Sequence, residues 1–224
     1  MSAMWNEYYQ IKDNCRAGLL KYMAEAVSLL PKINNPKILD IGCGTGVPTI
    51  WLTENYGGIV TAIDTEKSAL DWLNEKVIDK KLENKITTIN ISFFDLKAEL
   101  FYFDIILAEG FMNIIGFEPG FVRLVEMLKG GGYFVIHDEY KDHEKKCDFI
   151  RKNNCDLVGT VFLDENVWWN NYYKQLDAEI NSRGSRQIKD LFKSELNEIK
   201  YYRKDPYPFK SIYYIIKRHQ DMKF

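Results

Sequence analysis

Three glycines stand at alternate positions in the segment Asp40-Ile41-Gly42-Cys43-Gly44-Thr45-Gly46. Glycine lets a backbone turn tightly and come close to a ligand. The helix expected from Pro48 to Asn55 would aim its free amide groups at the same point. A dinucleotide-binding turn has its third glycine one position later, where this chain has Val47. The pattern therefore argues against a pyrophosphate. It fits a nucleoside that carries an amino-acid group, with the carboxylate on the amides from Gly42 through Cys43 and Gly44 to Gly46 and the ammonium group on Asp40.

Two further acids follow in register. Asp64 closes the apolar run Ile59–Ile63 and is followed by Thr65. A carboxylate in that place accepts hydrogen bonds from both ribose hydroxyls. Asp95 follows the run Ile86–Ile91. With the neighbouring amide it would read the adenine edge, while Phe93, Phe94 or Leu96 packs on the base. S-adenosylmethionine (SAM) meets all of these demands. Ala108 and Glu109 close the run Asp104–Ala108, beside the expected sulfonium. Glu109 is a candidate substrate contact, general base or lining for the methionine end. His137 ends the run Tyr133–His137, with Glu139 just beyond, and can take a proton near neutral pH. The alternative for each acid is a helix cap or a solvated loop, and for His137 a structural role in its strand. Methyl transfer discharges the sulfonium, so alignment and exclusion of water can suffice without a dedicated base.

These residues need elements to hold them. Helical spacing of apolar residues predicts helices over 15–30, 48–55, 68–80, 120–129 and 141–153, the fourth ended by Gly130-Gly131-Gly132. Short apolar runs predict strands at 37–41, 59–63, 86–91, 104–108, 133–137, 157–163 and 211–217. Alternation of the two implies a mainly parallel sheet covered on both faces. Ligands of such sheets bind beyond the carboxyl ends of the strands, where the acids and glycines fall. Residues 165–205 interrupt the last return to the sheet and are far longer than an ordinary connection. Their rings, Trp168, Trp169, Tyr172 and Tyr173, together with Trp5, Tyr8 and Tyr9, are candidates for an aromatic wall over the methyl group, or for core packing beneath a lid.

The chain has 224 residues, 46% hydrophobic and 28% charged, with a net charge of −2. That length suits one α/β domain over 1–224, with 1–35 as an N-terminal helical cap and 165–205 as a helical insertion and candidate substrate lid. The charge offers no global attraction for nucleic acid or anionic lipid. The four cysteines show neither a CxxC pair nor spacing with histidine that would hold a metal. They suit a reducing compartment, and no signal peptide or apolar span is present, so a cytoplasmic location is expected. A homodimer and a monomer are both open.

The stretches ILDIGCGTG (38–46), AIDTEKSAL (62–70), NISFFDL (90–96), FDIILAEG (103–110) and LKGGGYFVIHDE (128–139) resemble, in order and spacing, class I SAM-dependent methyltransferases. They look most like small-molecule enzymes of the ubiquinone/menaquinone-biosynthesis and methyltransferase domain 11/25 type. The resemblance spans about residues 36–140. It implies a Rossmann-like sheet in the order 3-2-1-4-5-7-6 with the last strand antiparallel, SAM as methyl donor, and a small-molecule acceptor. Other readings are methyl transfer to RNA or protein, and a SAM-binding protein without chemistry. Ala108-Glu109-Gly110-Phe111 stands where nucleic-acid amine methylators often carry an Asn/Asp-Pro-Pro-Tyr/Phe motif, which weakens the nucleic-acid reading.

Overall fold

A computed structural model describes residues 3–97, 102–183 and 186–220. Seven strands form one sheet: β1 (Lys37–Ile41), β2 (Ile59–Asp64), β3 (Ile86–Asn90), β4 (Phe103–Glu109), β5 (Leu128–Glu139), β6 (Cys155–Leu163) and β7 (Ser211–Arg218). Their order is β3-β2-β1-β4-β5-β7-β6. β7 runs antiparallel to β5 and β6, and the remaining pairs are parallel. The order reverses between β1 and β4, which is where an open α/β sheet leaves a crevice at its carboxyl edge.

The strands are apolar on both faces because both faces are covered. Ile38, Val60, Leu107, Val135 and Ile215 pack on one side with α2 (Leu20–Ser28), α3 (Val47–Asn55) and α4 (Lys67–Asp79). Leu39, Ile41, Ile106, Phe134 and Ile216 pack on the other with α6 (Phe117–Met127) and α7 (His143–Lys152), beside the short α5 (Met112–Ile115). A third apolar cluster lies outside the sheet. It joins α1 (Ala3–Arg16) to α8 (Glu165–Trp168), a π-helical turn (Trp169–Tyr173), α9 (Lys174–Arg183), α10 (Arg186–Leu191) and α11 (Lys193–Lys204) through Tyr9, Ile11, Leu176, Phe192 and Ile199.

Two local expectations are corrected. The first helix starts at Ala3, not at residue 15, and a 3-10 turn at Ala17–Leu19 separates α1 from α2. The polar residues of α1 hide its period, because its stripe of Tyr8, Tyr9, Ile11 and Cys15 packs on the insertion and not on the sheet. Gly130-Gly131-Gly132 does not end a helix. α6 stops at Met127, Leu128 already pairs with Phe103, and the glycines fall where the β4–β5 register shifts before Ile105 meets Tyr133. They form an irregularity within β5, as extra residues in a ladder do.

The insertion is fitted closely to the turn between α1 and α2. A methyl group added at Gly18 would lie 2.2 Å from the carbonyl oxygen of Asn171, in the π-helical turn. That neighbour is backbone and cannot swing aside. Gly18→Ala should destabilise the protein by about 1–3 kcal/mol, as overpacking generally does. It should also speed proteolysis within 165–205 relative to the sheet. A thermal midpoint and cleavage pattern like those of the parent protein would refute this.

Candidate active site

The loop after β1 is folded by its own amides. Gly42, Gly44 and Gly46 all have positive φ, from 52° to 74°. The amides of Gly42 and Cys43 donate to the Ile63 carbonyl at 2.9 and 3.1 Å, and that of Gly46 to the Cys43 carbonyl at 2.8 Å. The Gly44 amide donates to Asp64 Oδ2 at 2.8 Å, while Asp64 Oδ1 accepts from the Glu66 amide at 2.8 Å. The amides expected to bind a carboxylate are therefore engaged within the protein at Gly42, Cys43, Gly44 and Gly46. What the loop offers a ligand is closeness of backbone and a fixed Asp64.

Two cavities open at this edge of the sheet. The smaller, about 270 Å³, is lined by Ile41, Asp64, Thr65, Ser92, Phe94 and Phe111, among others. The larger, about 550 Å³, runs from Asp40 and Thr45 past Glu109 and His137 to Trp168, Tyr172 and Tyr173. Gly42 and Gly110 line both, so the cavities adjoin at the ends of β1 and β4.

Strand register builds the floor of the larger chamber. Glu109 of β4 stands opposite His137 of β5, which stands opposite Tyr213 of β7. Paired residues in a sheet share a face, so the three side chains form one row. Tyr213 donates its hydroxyl to Glu109 Oε1 at 2.8 Å, and the Tyr213 and His137 rings lie 4.5 Å apart. Arg16, at the end of α1, reaches the same Oε1 at 2.9 Å and lies over the Trp168 ring at 5.7 Å. Glu109 Oε2 and both ring nitrogens of His137 are buried without a hydrogen-bond partner. One turn earlier on α1, Lys12 pairs with Glu195 Oε1 of α11 at 2.9 Å, and Glu195 Oε2 is likewise buried without a partner.

α1 is also strapped to the glycine loop. Asp13 accepts from Thr45 Oγ1 at 2.5 Å and from the Trp72 indole at 2.8 Å, and pairs with Lys76. Tyr9 donates to Glu66 at 2.6 Å.

A sequence profile of the methyltransferase domain family matches residues 38–132, the stretch that contains β1, the glycine loop, Asp64 and Glu109. The similarity to methyltransferase domains thus covers residues 38–132, less than half of the chain. The whole chain is similar to the structure of the cyclase SpnF, with a TM-score of 0.77 and 12% identity over 90% of this chain and 81% of that one. It is also similar to a SAM-dependent methyltransferase from Thiobacillus denitrificans in complex with S-adenosylhomocysteine, with a TM-score of 0.67 and 14% identity over 88% and 89% of the two chains. A ribosomal protein L11 methyltransferase of Ruminiclostridium cellulolyticum is 32% identical over 70% of this chain and 46% of its own length. The chain spans about half the length of the first curated relatives it matches. The fold is that of the Rossmann-like class I methyltransferases, in the strand order expected.

The sequence-expected residues divide between the two cavities. Asp64, Thr65 and Phe94 line the smaller cavity, and Asp40, Gly42, Cys43, Gly44, Glu109 and His137 line the larger. Gly46 sits behind the loop as the residue before α3. Ala108 is wholly buried in β4. Asp95 is exposed on a turn, its amide donates to the Ser92 carbonyl, and it is not among the residues lining either cavity. Ser92, for which the sequence carries no signal, lines the smaller cavity. Of the aromatic candidates, Tyr9, Trp168, Tyr172 and Tyr173 line the chamber, while Trp5, Tyr8 and Trp169 pack in the cap. Lys12, Arg16 and Glu195 were not anticipated.

The four cysteines are buried and free. Burial, reinforced by Asp40 and Asp64, pushes the Cys43 thiol far up, so it is not a thiolate nucleophile. Among the described residues no cluster of His, Cys, Asp and Glu could hold a metal.

Two buried groups titrate in opposite senses. Asp40 is 2% exposed. Burial raises it to about 7 against the opposing 2.5 Å hydrogen bond from Thr49, with Glu109 and Asp64 adding to the rise. His137 is 4% exposed. Burial lowers it to about 4 against the attraction of Glu109. For His137 the unfolded chain binds the extra proton as pH falls from about 6.5 to about 4. The protein should therefore lose about 3 kcal/mol relative to His137→Asn across that window. For Asp40 the folded state holds the proton between about 4 and 7. The protein should lose about 4 kcal/mol relative to Asp40→Asn as pH rises through it. Denaturant titrations of the three proteins at several pH values check both slopes, and parallel curves would refute them.

Proposed function

We propose that the chain transfers a methyl group from SAM to a small molecule held in the larger chamber. The observation that carries this reading is the junction of the two cavities at Gly42 and Gly110. The smaller cavity, with Asp64 at its mouth and apolar walls, suits an adenosine. The larger begins at Asp40, where a cationic amino-acid end is favoured, and continues into a walled space large enough for an acceptor. Bound SAM would supply an electrophilic methyl carbon on a positively charged sulfur.

The protein's part is placement. Asp64 would accept from the ribose, its carboxylate already held by two amides. Thr65, Ser92 and Phe94 would flank the nucleoside. Asp40 would face the ammonium group, and burial of a cation beside it would favour its charged form. Trp168, Tyr172 and Tyr173, with α1 above, would keep water from the acceptor. Glu109 and His137 are the candidate contacts to the acceptor's reacting group.

The aromatic wall of the larger chamber favours a small molecule over an RNA or a folded protein, although two relatives' names refer to a ribosomal protein and a third to ribosomal RNA. SpnF is named a cyclase, so the fold alone does not fix the chemistry. Among the described residues no helix is long and apolar enough to cross a membrane. Calorimetric titration with SAM and S-adenosylhomocysteine tests the donor, and absence of binding would overturn it. Label transfer from methyl-labelled SAM into a metabolite extract tests the reaction. Binding without transfer to any acceptor would favour a SAM-binding protein without chemistry.

A further inference from the structure

We infer that the acceptor of the larger chamber is a small primary or secondary amine, recognised as its ammonium ion; this rests on the methyl-transfer reading above. Seven carboxylate residues line the chamber against three cationic ones. Each of the three cations already has an acid: Lys12 has Glu195, Arg16 has Glu109, and Lys210 lies 3.6 Å from Glu165. Of the other acids, Asp138 pairs with Lys146, which is not among the lining residues, while Glu66 and Glu198 accept from the hydroxyls of Tyr9 and Tyr173. The chamber is therefore short of positive charge.

It is also short of donors. The buried atoms without partners on its wall are Glu109 Oε2, Glu195 Oε2 and the two nitrogens of His137. The carboxylate oxygens only accept, and a neutral imidazole accepts at one nitrogen and donates at the other, so three of these four atoms call for a donor and one for an acceptor. Burying such atoms unsatisfied is costly. An ammonium group carries up to three N–H donors and a positive charge, and so meets both deficits. An alcohol brings one donor and no charge, and a carboxylate adds acceptors to acceptors. The rings of Tyr172 and Tyr173 at the lining also attract a cation, while the Trp168 ring already lies under Arg16.

In the reaction the ammonium gives one proton to solvent before the acceptor is sealed from water. The freed nitrogen lone pair forms the N–C bond, the C–S bond breaks, and its electron pair stays on sulfur. The methylated ammonium that results is released or loses a proton in turn.

The test uses the full chain saturated with S-adenosylhomocysteine, so that the cofactor's own ammonium group has taken its place. Three matched sets of probes, built on ethyl, benzyl and phenethyl groups, are each presented as amine, alcohol and carboxylate in ligand-observed NMR competition. In at least one set the amine should bind at least tenfold more tightly than both counterparts. Glu195→Gln should cut that advantage to less than threefold. Absence of an amine preference in every set overturns the inference, and so does a preference undiminished in both Glu195→Gln and Glu109→Gln. The comparison on the unmodified protein decides even if a variant fails to fold. Failure of S-adenosylhomocysteine itself to bind would instead count against the methyl-transfer reading.

Discussion

Asp64→Ala should weaken binding of S-adenosylhomocysteine by about a hundredfold or more, measured by calorimetry. In the folded protein its two oxygens accept from the Gly44 and Glu66 amides, so the carboxylate is fixed before any ligand arrives. Hydrogen bonds to a charged group contribute roughly 1.5–3 kcal/mol each. Losing two such bonds to a ribose corresponds to at least a hundredfold at about 1.4 kcal/mol per factor of ten. The substitution also strips the Gly44 and Glu66 amides of their acceptor, so the loop itself should loosen. Asp64→Asn retains the shape and one acceptor oxygen, and should fall between the two. Unchanged affinity in Asp64→Ala would remove the smaller cavity from the proposal.

The second large effect is on stability. Gly46 has φ of 74° and precedes α3, and an added methyl group would sit 2.3 Å from Leu73 Cδ1. Leu73 is fully buried in the core beneath α4, so it has little room to move. A left-handed conformation costs an L-residue roughly 1–2 kcal/mol, and overpacking a core adds about 1–3 kcal/mol. Gly46→Ala should therefore destabilise by about 2–5 kcal/mol in urea denaturation. Gly44 is the control: its φ is also positive, but an added methyl group meets nothing within 4 Å. Gly44→Ala should show only the conformational part, about 1–2 kcal/mol. Equal losses in the two variants would mean that Leu73 gives way.

The parts of this site legible in the sequence are those built by local chain. Gly42 to Gly46 and Asp64 follow apolar runs directly, and a strand followed by its turn places them without help from elsewhere. The strand order came with the family resemblance, not with any periodicity. Asp95 stands on an exposed turn and lines neither cavity, while Ser92 lines the smaller one, because a turn of only a few residues decides which side chain faces a cavity. Arg16 and Glu195 were illegible for a different reason. Each gains its role from a partner far along the chain, Glu109 for the first and Lys12 for the second. No spacing rule connects such pairs. The row of Glu109, His137 and Tyr213 needed the β4–β5–β7 register, which a sequence of short apolar runs does not specify.

The position of α1 has a kinetic consequence. One helix carries Tyr9 and Asp13, which fasten the glycine loop, and Lys12 and Arg16, which hold Glu195 and Glu109. If α1 swings out, the straps on the loop and both ion pairs break in the same movement. The acceptor and the amino-acid end of the donor, both assigned to the larger chamber that α1 lines, would then share one gate. Turnover would be paced by how often that gate opens, and a spent donor would hold the acceptor pocket shut for as long as it resides.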